Sequence, residues 1–295
     1  MINVKEPIKD VARRVLSENS YEHLVGLYAK GLHGLDGIKN QYSLAALQNR
    51  LRLRRLHDIY LGKRCFIIAN GPSLAQTDLR SLASEITIGS NAIFLLFDKM
   101  GYLPTFYTVQ DYLVAEGYAK QINQIKGTTK ILPQELSYCL LPDNDTIYFN
   151  LQPDSYQRYV DKHMNENFRP KFSERLDKSA YDGCTVTYLN LQLAYYIGCR
   201  TVYLVGLDHQ YEVPPDIDIR KDLIVVSPSD DTSHFHPNYF GKGFRYTTPR
   251  VDQMEKAYMV ARDFGARKGM KICNATIGGK LEVFPRVRLE DVIGG

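Results

Sequence analysis

Two rhythms of apolar residues alternate along this chain. Short unbroken runs, each ended by a turn signal, occur at residues 65–69 (Cys-Phe-Ile-Ile-Ala), 86–89, 105–110, 146–150, 201–206 and 270–273. Runs of this length, rich in Ile, Val, Tyr and Phe, read as strands buried on both faces. Between them lie stretches with apolar residues three or four apart, the helical interval. Residues 43–60 carry Leu44, Leu47, Leu51 and Leu56 in that spacing. Residues 185–197 place Val186, Leu189, Leu193 and Ile197 on one stripe and end at Gly198, and residues 249–268 resume the pattern. Thr77 and Asp78 are expected to cap a helix running to Leu82.

Strand and helix in alternation predict an α/β, Rossmann-like fold, a mostly parallel sheet with helices on both faces. Residues 1–62 read as an N-terminal helical appendage, with helices at 8–16 and 43–60 around a Gly-rich break at 31–37, suited to oligomerisation or docking. Residues 63–295 form the nucleotide-binding domain. Within it, residues 208–248 lose all periodicity and carry four prolines, Pro214, Pro215, Pro228 and Pro237. A loop that long in a compact domain is usually functional, and we read it as a lid-like insertion.

Composition narrows the function classes. A net charge of +4 over 295 residues, with the basic residues gathered mainly at 50–55, disfavours a nucleic-acid partner. That cluster reads as the solvated side of a helix, with contact to an anionic inner membrane face as the alternative. Five cysteines without a CxxC pair argue against a disulfide framework or zinc ribbon. No stretch approaches the roughly 18 apolar residues of a membrane span, so a cytoplasmic location is expected.

The candidate chemistry lies at strand ends. Asn70-Gly71-Pro72-Ser73 follows the first core strand, where a glycine turn brings bare backbone close to a ligand and the next helix offers N–H groups to an anion. Asn91 follows the second strand and supplies another amide over the same crevice. Asp111 and Asp208 close two further strands, where each could bind Mg²⁺, hydrogen-bond a sugar, or cap a helix. Gly183-Cys184-Thr185 opens a helix that could meet a second anionic group. Three of the seven histidines, His209, His234 and His236, fall in the lid-like segment. An imidazole there could take a proton from a hydroxyl at neutral pH.

The run Ile67-Ile68-Ala69-Asn70-Gly71-Pro72-Ser73-Leu74 resembles the opening motif of the bacterial sialyltransferases of glycosyltransferase family 42. The related DUF115 group, with 6-hydroxymethylpterin diphosphokinase and flagellin glycosylation factors, shares it. Further similar motifs follow in order: Gly89-Ser90-Asn91, the helix from Gly183 with Gly206-Leu207-Asp208, Ser233-His234-Phe235, Asn274-Ala275-Thr276 and Pro285-Arg286-Val287. The resemblance covers residues 64–290.

It implies a CMP-linked nonulosonic acid donor and a surface glycan acceptor, with no metal cofactor. His234 matches the general base and Tyr211 the first of two tyrosines that steady the leaving phosphate. The second has no clear counterpart, and Tyr239 and Tyr246 are the substitutes at hand. The DUF115 side implies instead an Mg²⁺-dependent diphosphokinase using Asp111 and Asp208, and a nucleotide-binding scaffold without turnover is the third reading.

Overall fold

A computed structural model describes residues 43–152, 168–212 and 224–294. The expectations for residues 8–16 and 31–37, and for Pro214 and Pro215, fall outside them. Seven parallel strands form one sheet: β1 (Arg64–Ile68), β2 (Thr87–Ser90), β3 (Phe106–Thr108), β4 (Thr129–Pro133), β5 (Thr146–Phe149), β6 (Thr201–Val205) and, after a small hairpin described below, β9 (Lys271–Asn274). Their order, β5-β4-β3-β2-β1-β6-β9, puts β1 at the point where the chain stops adding strands on one side and begins on the other. Ligands of open α/β sheets bind beyond the carboxyl ends of the strands at such a switch point.

Alternation along β1 divides the core. Cys65 and Ile67 face one layer with α5 (Val186–Tyr196) and α6 (Val251–Lys268), and Phe66 and Ile68 face the other. The second layer is built from 3-10 turns and short helices, α2 (Phe97–Met100), α3 (Tyr112–Gly117), α4 (Ala119–Gln124) and α7 (Leu289–Ile293). The α/β reading, with helices on both faces, is therefore observed. The helix expected after Thr77 and Asp78 is a single 3-10 turn, Leu79–Leu82, capped by Asp78. Gly198 ends α5 as expected, at φ +99°, which a side chain would resist.

Three strands escape the sequence reading: β4 and the hairpin pair β7 (Ile224–Val226) and β8 (Arg245–Thr247). In β4 a lysine interrupts the apolar run, yet Lys130 is buried and donates to Asp143 at 2.7 Å. The described residues 224–248 of the lid-like segment are pinned by aromatic contacts rather than by a periodic stripe. Phe240 stacks on Tyr246 and Phe244, Phe244 meets Tyr118, and the Tyr118 hydroxyl donates to the Asn238 and Tyr239 carbonyls.

Helix α1 (Leu44–Leu56) starts at Ser43, whose hydroxyl accepts from the Ala46 amide. The leucines whose spacing announces it, Leu44, Leu47 and Leu51, are exposed. Leu53 is the buried one, and polar side chains make the attachment to the sheet. Asn49 accepts the Tyr148 amide, and Arg52 donates to the carbonyls of Thr146 and Asn144. Helix α1, within the expected appendage, is thus in direct contact with the sheet. No helix among the described residues is long and apolar enough to cross a membrane.

Two stability tests follow from this packing. Burial works to raise the Asp143 pKa, but hydrogen bonds from Lys126, Lys130 and Thr146 outweigh it and hold the carboxyl well below its usual range. A carboxyl depressed in the folded state adds stability that is present above its unfolded pKa, about 3.9, and is lost as pH falls below it. Asp143→Ala should cost about 3–5 kcal/mol by stranding the Lys130 ammonium. In urea titrations the gap between variant and parent should close on acidification below about pH 4. The second test is Gly71→Ala. A Cβ there would lie 1.9 Å from Asp208 Oδ2 and 2.7 Å from the Gly206 carbonyl. It should cost about 1–3 kcal/mol. Gly241→Ala, with nothing nearer than 3.4 Å, should stay within about 0.5 kcal/mol.

Candidate functional site

The carboxyl edge of β1, β2, β3 and β6 gathers most of the residues singled out from the sequence. After β1 the Gly71 amide donates to the Gly206 carbonyl, so the turn lies flat against the end of β6. Asp208 then reaches across. Its carboxylate accepts the Ser73 hydroxyl at 2.7 Å and the Ser73 amide at 3.2 Å. Burial raises the Asp208 pKa above its ordinary value, against the Ser73 hydrogen bonds and the pull of nearby His234. Pro72 has no N–H, so the first amide of the 3-10 turn Pro72–Gln76 belongs to Asp208.

Asn70 and Asn91 occupy adjacent strand ends. Asn70 Nδ2 lies 3.4 Å from Ser90 Oγ, and its Oδ1 is buried without a partner, as is Asn91 Oδ1. Further along the same edge, Asn190 of α5 accepts from Thr108 and leaves its Nδ2 unpaired, while Gln110 donates to Asp182 and leaves its Oε1 unpaired. Four amide side chains at this edge thus each keep one buried, unsatisfied atom. Each costs about 1–3 kcal/mol unless a ligand meets it. Gln110, Asp182 and Asn190 were not singled out from the sequence, since a mid-helix Asn and a strand-end Gln carry no local signal.

Backbone strain collects in the same place. Of the four non-glycine residues with positive φ among those described, Asn91 (+52°), Cys184 (+64°) and His209 (+53°) belong to this edge. Such outliers persist where surrounding structure over-determines them, and they cluster at functional sites. His209 is buried with its Nε2 3.4 Å from Glu255, and neither ring nitrogen makes a hydrogen bond. Burial lowers its pKa, with Glu255 opposing.

The helix start at Gly183-Cys184-Thr185 uses its own donors. Asp182 accepts the Cys184 amide at 2.7 Å, Thr185 accepts the Thr187 amide, and Cys184 Sγ donates to Gln253 at 3.0 Å. Asp111 caps α3, accepting the Leu113 amide at 2.7 Å. Of the two carboxylates read as Mg²⁺ candidates, Asp111 is thus a helix cap and Asp208 is bonded to Ser73 across the crevice. No group of three or more His, Cys, Asp or Glu among the described residues could hold a metal ion.

From the lid side, the Phe235 amide donates to the Asn70 carbonyl at 3.1 Å, which sets His234 directly over the turn. His234 Nδ1 lies 2.8 Å from Asp231 Oδ2, and its ring stacks on Tyr239 with centroids 3.9 Å apart. The Tyr239 phenol is buried against the Asn91 side chain; burial pushes its pKa up and that contact opposes the rise. Tyr239 therefore backs the His234 ring. Tyr246 stacks on Phe240 in the hairpin. Tyr211 packs beside His209, and its neighbour Glu212 accepts the Thr232 hydroxyl while donating its amide to Ser233. His236 Nδ1 instead accepts the Asn238 amide. Asp231 escaped the sequence reading, although its spacing three residues before His234 is the signal that could have found it.

Comparison with known proteins adds a family. The family described as 6-hydroxymethylpterin diphosphokinase MptE-like matches residues 40–214. A search of curated proteins finds no match. Among solved structures, the Maf glycosyltransferase from Magnetospirillum magneticum AMB-1 is similar at 18% identity and a TM-score of 0.45. That similarity covers 77% of this chain and 34% of the other, so this chain spans about a third of that protein's length. With more than half of its 295 residues matched, the chain belongs to the MptE-like family.

Proposed function

We propose that this protein is a metal-independent glycosyltransferase that moves a nonulosonic acid, such as a sialic acid, from a CMP-linked donor to a surface glycan hydroxyl. The observation that carries the reading is the His234–Asp231 pair held over Asn70 by the Phe235 amide, on an edge lined with unsatisfied amides. Those amides suit a ligand with many donors and acceptors, as a nucleotide sugar is. The motif resemblance supplies the donor class.

In this reading His234 takes the proton of the acceptor hydroxyl as its oxygen attacks the anomeric carbon. The bond from that carbon to the CMP phosphate oxygen breaks on the opposite face, so the configuration inverts. Asn70, Gly71, Pro72, Ser73 and Asn91 line the donor side, with Asp208 fixing the turn. Gly183, Cys184 and Thr185 border it from the turn that opens α5, Asp111 from the start of α3, and Tyr211 beside Asp208.

Family membership favours a second reading, transfer of a diphosphate from ATP to the hydroxymethyl group of a pterin. The same base would serve, with Asp111 and Asp208 holding Mg²⁺ through oxygens beside the ones that already bond Leu113 and Ser73. Mass spectrometry of turnover with CMP-sugars, beside ATP plus a pterin alcohol, separates the two. Product from neither pair would leave a nucleotide-binding scaffold.

His234→Ala should lower kcat by about 10²–10⁴-fold with donor affinity nearly intact. His236→Ala should cost far less, because its imidazole is spent on its own turn. Equal losses in a steady-state comparison would indicate disruption of the lid. Asn70→Ala and Asn91→Ala should each weaken nucleotide binding by about 1–3 kcal/mol in calorimetry, with little change in folding. Unchanged affinity in both would remove them from the site.

A further inference from the structure

The Asp231 carboxylate receives more than one partner. Its Oδ1 accepts the amides of Ser233 at 2.7 Å and His234 at 3.1 Å; its Oδ2 accepts the Phe240 amide at 3.0 Å and faces His234 Nδ1 at 2.8 Å. With a side chain only 6% exposed, it has one orientation available. Three of these donors are amides that can only donate, so the oxygen facing the imidazole is held as an acceptor. The ring nitrogen opposite it must then carry the hydrogen. Tyr239 covers one face of the ring and Phe240 meets it edge-on, which fixes its plane. Among the described residues, His234 Nε2 has no hydrogen-bond partner, whereas Nδ1 faces Asp231.

We propose that Asp231 is the positioning residue for His234: it holds the imidazole as the Nδ1–H tautomer and so reserves Nε2 as the atom that accepts a proton. The role rests on the reading of His234 as the base. In the step, the acceptor hydroxyl's proton passes to Nε2, the ring becomes an imidazolium, and its charge is met through Nδ1–H by the Asp231 carboxylate. The proton leaves to solvent after the nucleotide has departed. Asp231 does not take it. Among the described residues, Asp231 from its own turn and Asp208 from the end of β6 are charged groups near the ring. Burial alone would raise the Asp231 pKa, yet the hydrogen bond from His234 and the Ser233 and Phe240 amides bring it below the ordinary value.

Long-range ¹H–¹⁵N spectra of the full chain labelled at histidine test this directly, with His234→Ala assigning the signal. On the alkaline side of its titration, His234 should show a protonated Nδ1 and a bare Nε2. In Asp231→Asn the amide donates to Nδ1, so the tautomer should reverse. Turnover should fall about 10²–10⁴-fold in kcat while KM for the donor changes little, and the acidic limb of the pH–rate profile should move. Asp231→Glu should recover part of the loss and the original tautomer. A wild-type His234 with Nε2–H, or an unchanged tautomer in a folded Asp231→Asn protein, overturns the proposal. If Asp231→Asn does not fold, the wild-type spectrum still decides. Correct tautomers without turnover of any CMP-sugar would uphold the role of Asp231 and remove the glycosyl-transfer reading instead.

Discussion

The contact of Asp208 with Ser73 and Gly71 is the constraint on which the rest of the site depends. β1 and β6 are neighbours in the sheet but distant in sequence, and the loops leaving them diverge to opposite sides. A carboxylate from one loop bonded to the hydroxyl and amide of the other closes that fork at a fixed width. Gly71 is the residue that lets the two backbones approach, because any side chain would occupy the carboxylate's own position. Once the turn is flat, the Asn70 carbonyl is presented to the Phe235 amide, and the histidine beside it has a defined place. The anion-binding potential first read into this turn is therefore partly used by the protein itself, and the buried, unpaired Oδ1 atoms of Asn70 and Asn91 remain beside it.

Much of this architecture was legible in the sequence, and for identifiable reasons. Unbroken runs such as Cys65–Ala69 have one stable use in a chain this long, a strand buried on both faces. The stripe from Val186 to Ile197 and its glycine stop fixed α5 to within a residue. β4 was missed because Lys130 looks like a surface residue until its partner Asp143 is seen thirteen positions away. The aromatic packing of the lid was missed because ring contacts among Tyr118, Phe240, Phe244 and Tyr246 follow no period.

The site was legible at its strand ends and illegible between elements. Asn70, Asn91, Asp111 and Asp208 could be named because a strand end is a position that sequence pattern reveals. Which side chain each would meet is a property of the sheet order. Nothing local places Asn190 beside Thr108, or shows that Asp111 spends a carboxylate oxygen on α3. Asp231 lay within reach of sequence reasoning, since an acidic residue one short turn from a histidine is a recurring way to orient an imidazole.

The attachment of α1 bears on how the molecule can associate. β5 is the last strand on its side of the sheet, where main-chain groups that point away from β4 would ordinarily offer a template for another chain. Asn49 occupies the Tyr148 donor, and Arg52 occupies the acceptors at Thr146 and Asn144. A helix laid across the edge with its polar residues turned inward thus acts as a plug against strand addition. The main-chain groups that strand addition would use at Tyr148, Thr146 and Asn144 are thus already taken, while the same helix turns Leu44, Leu47 and Leu51 to solvent.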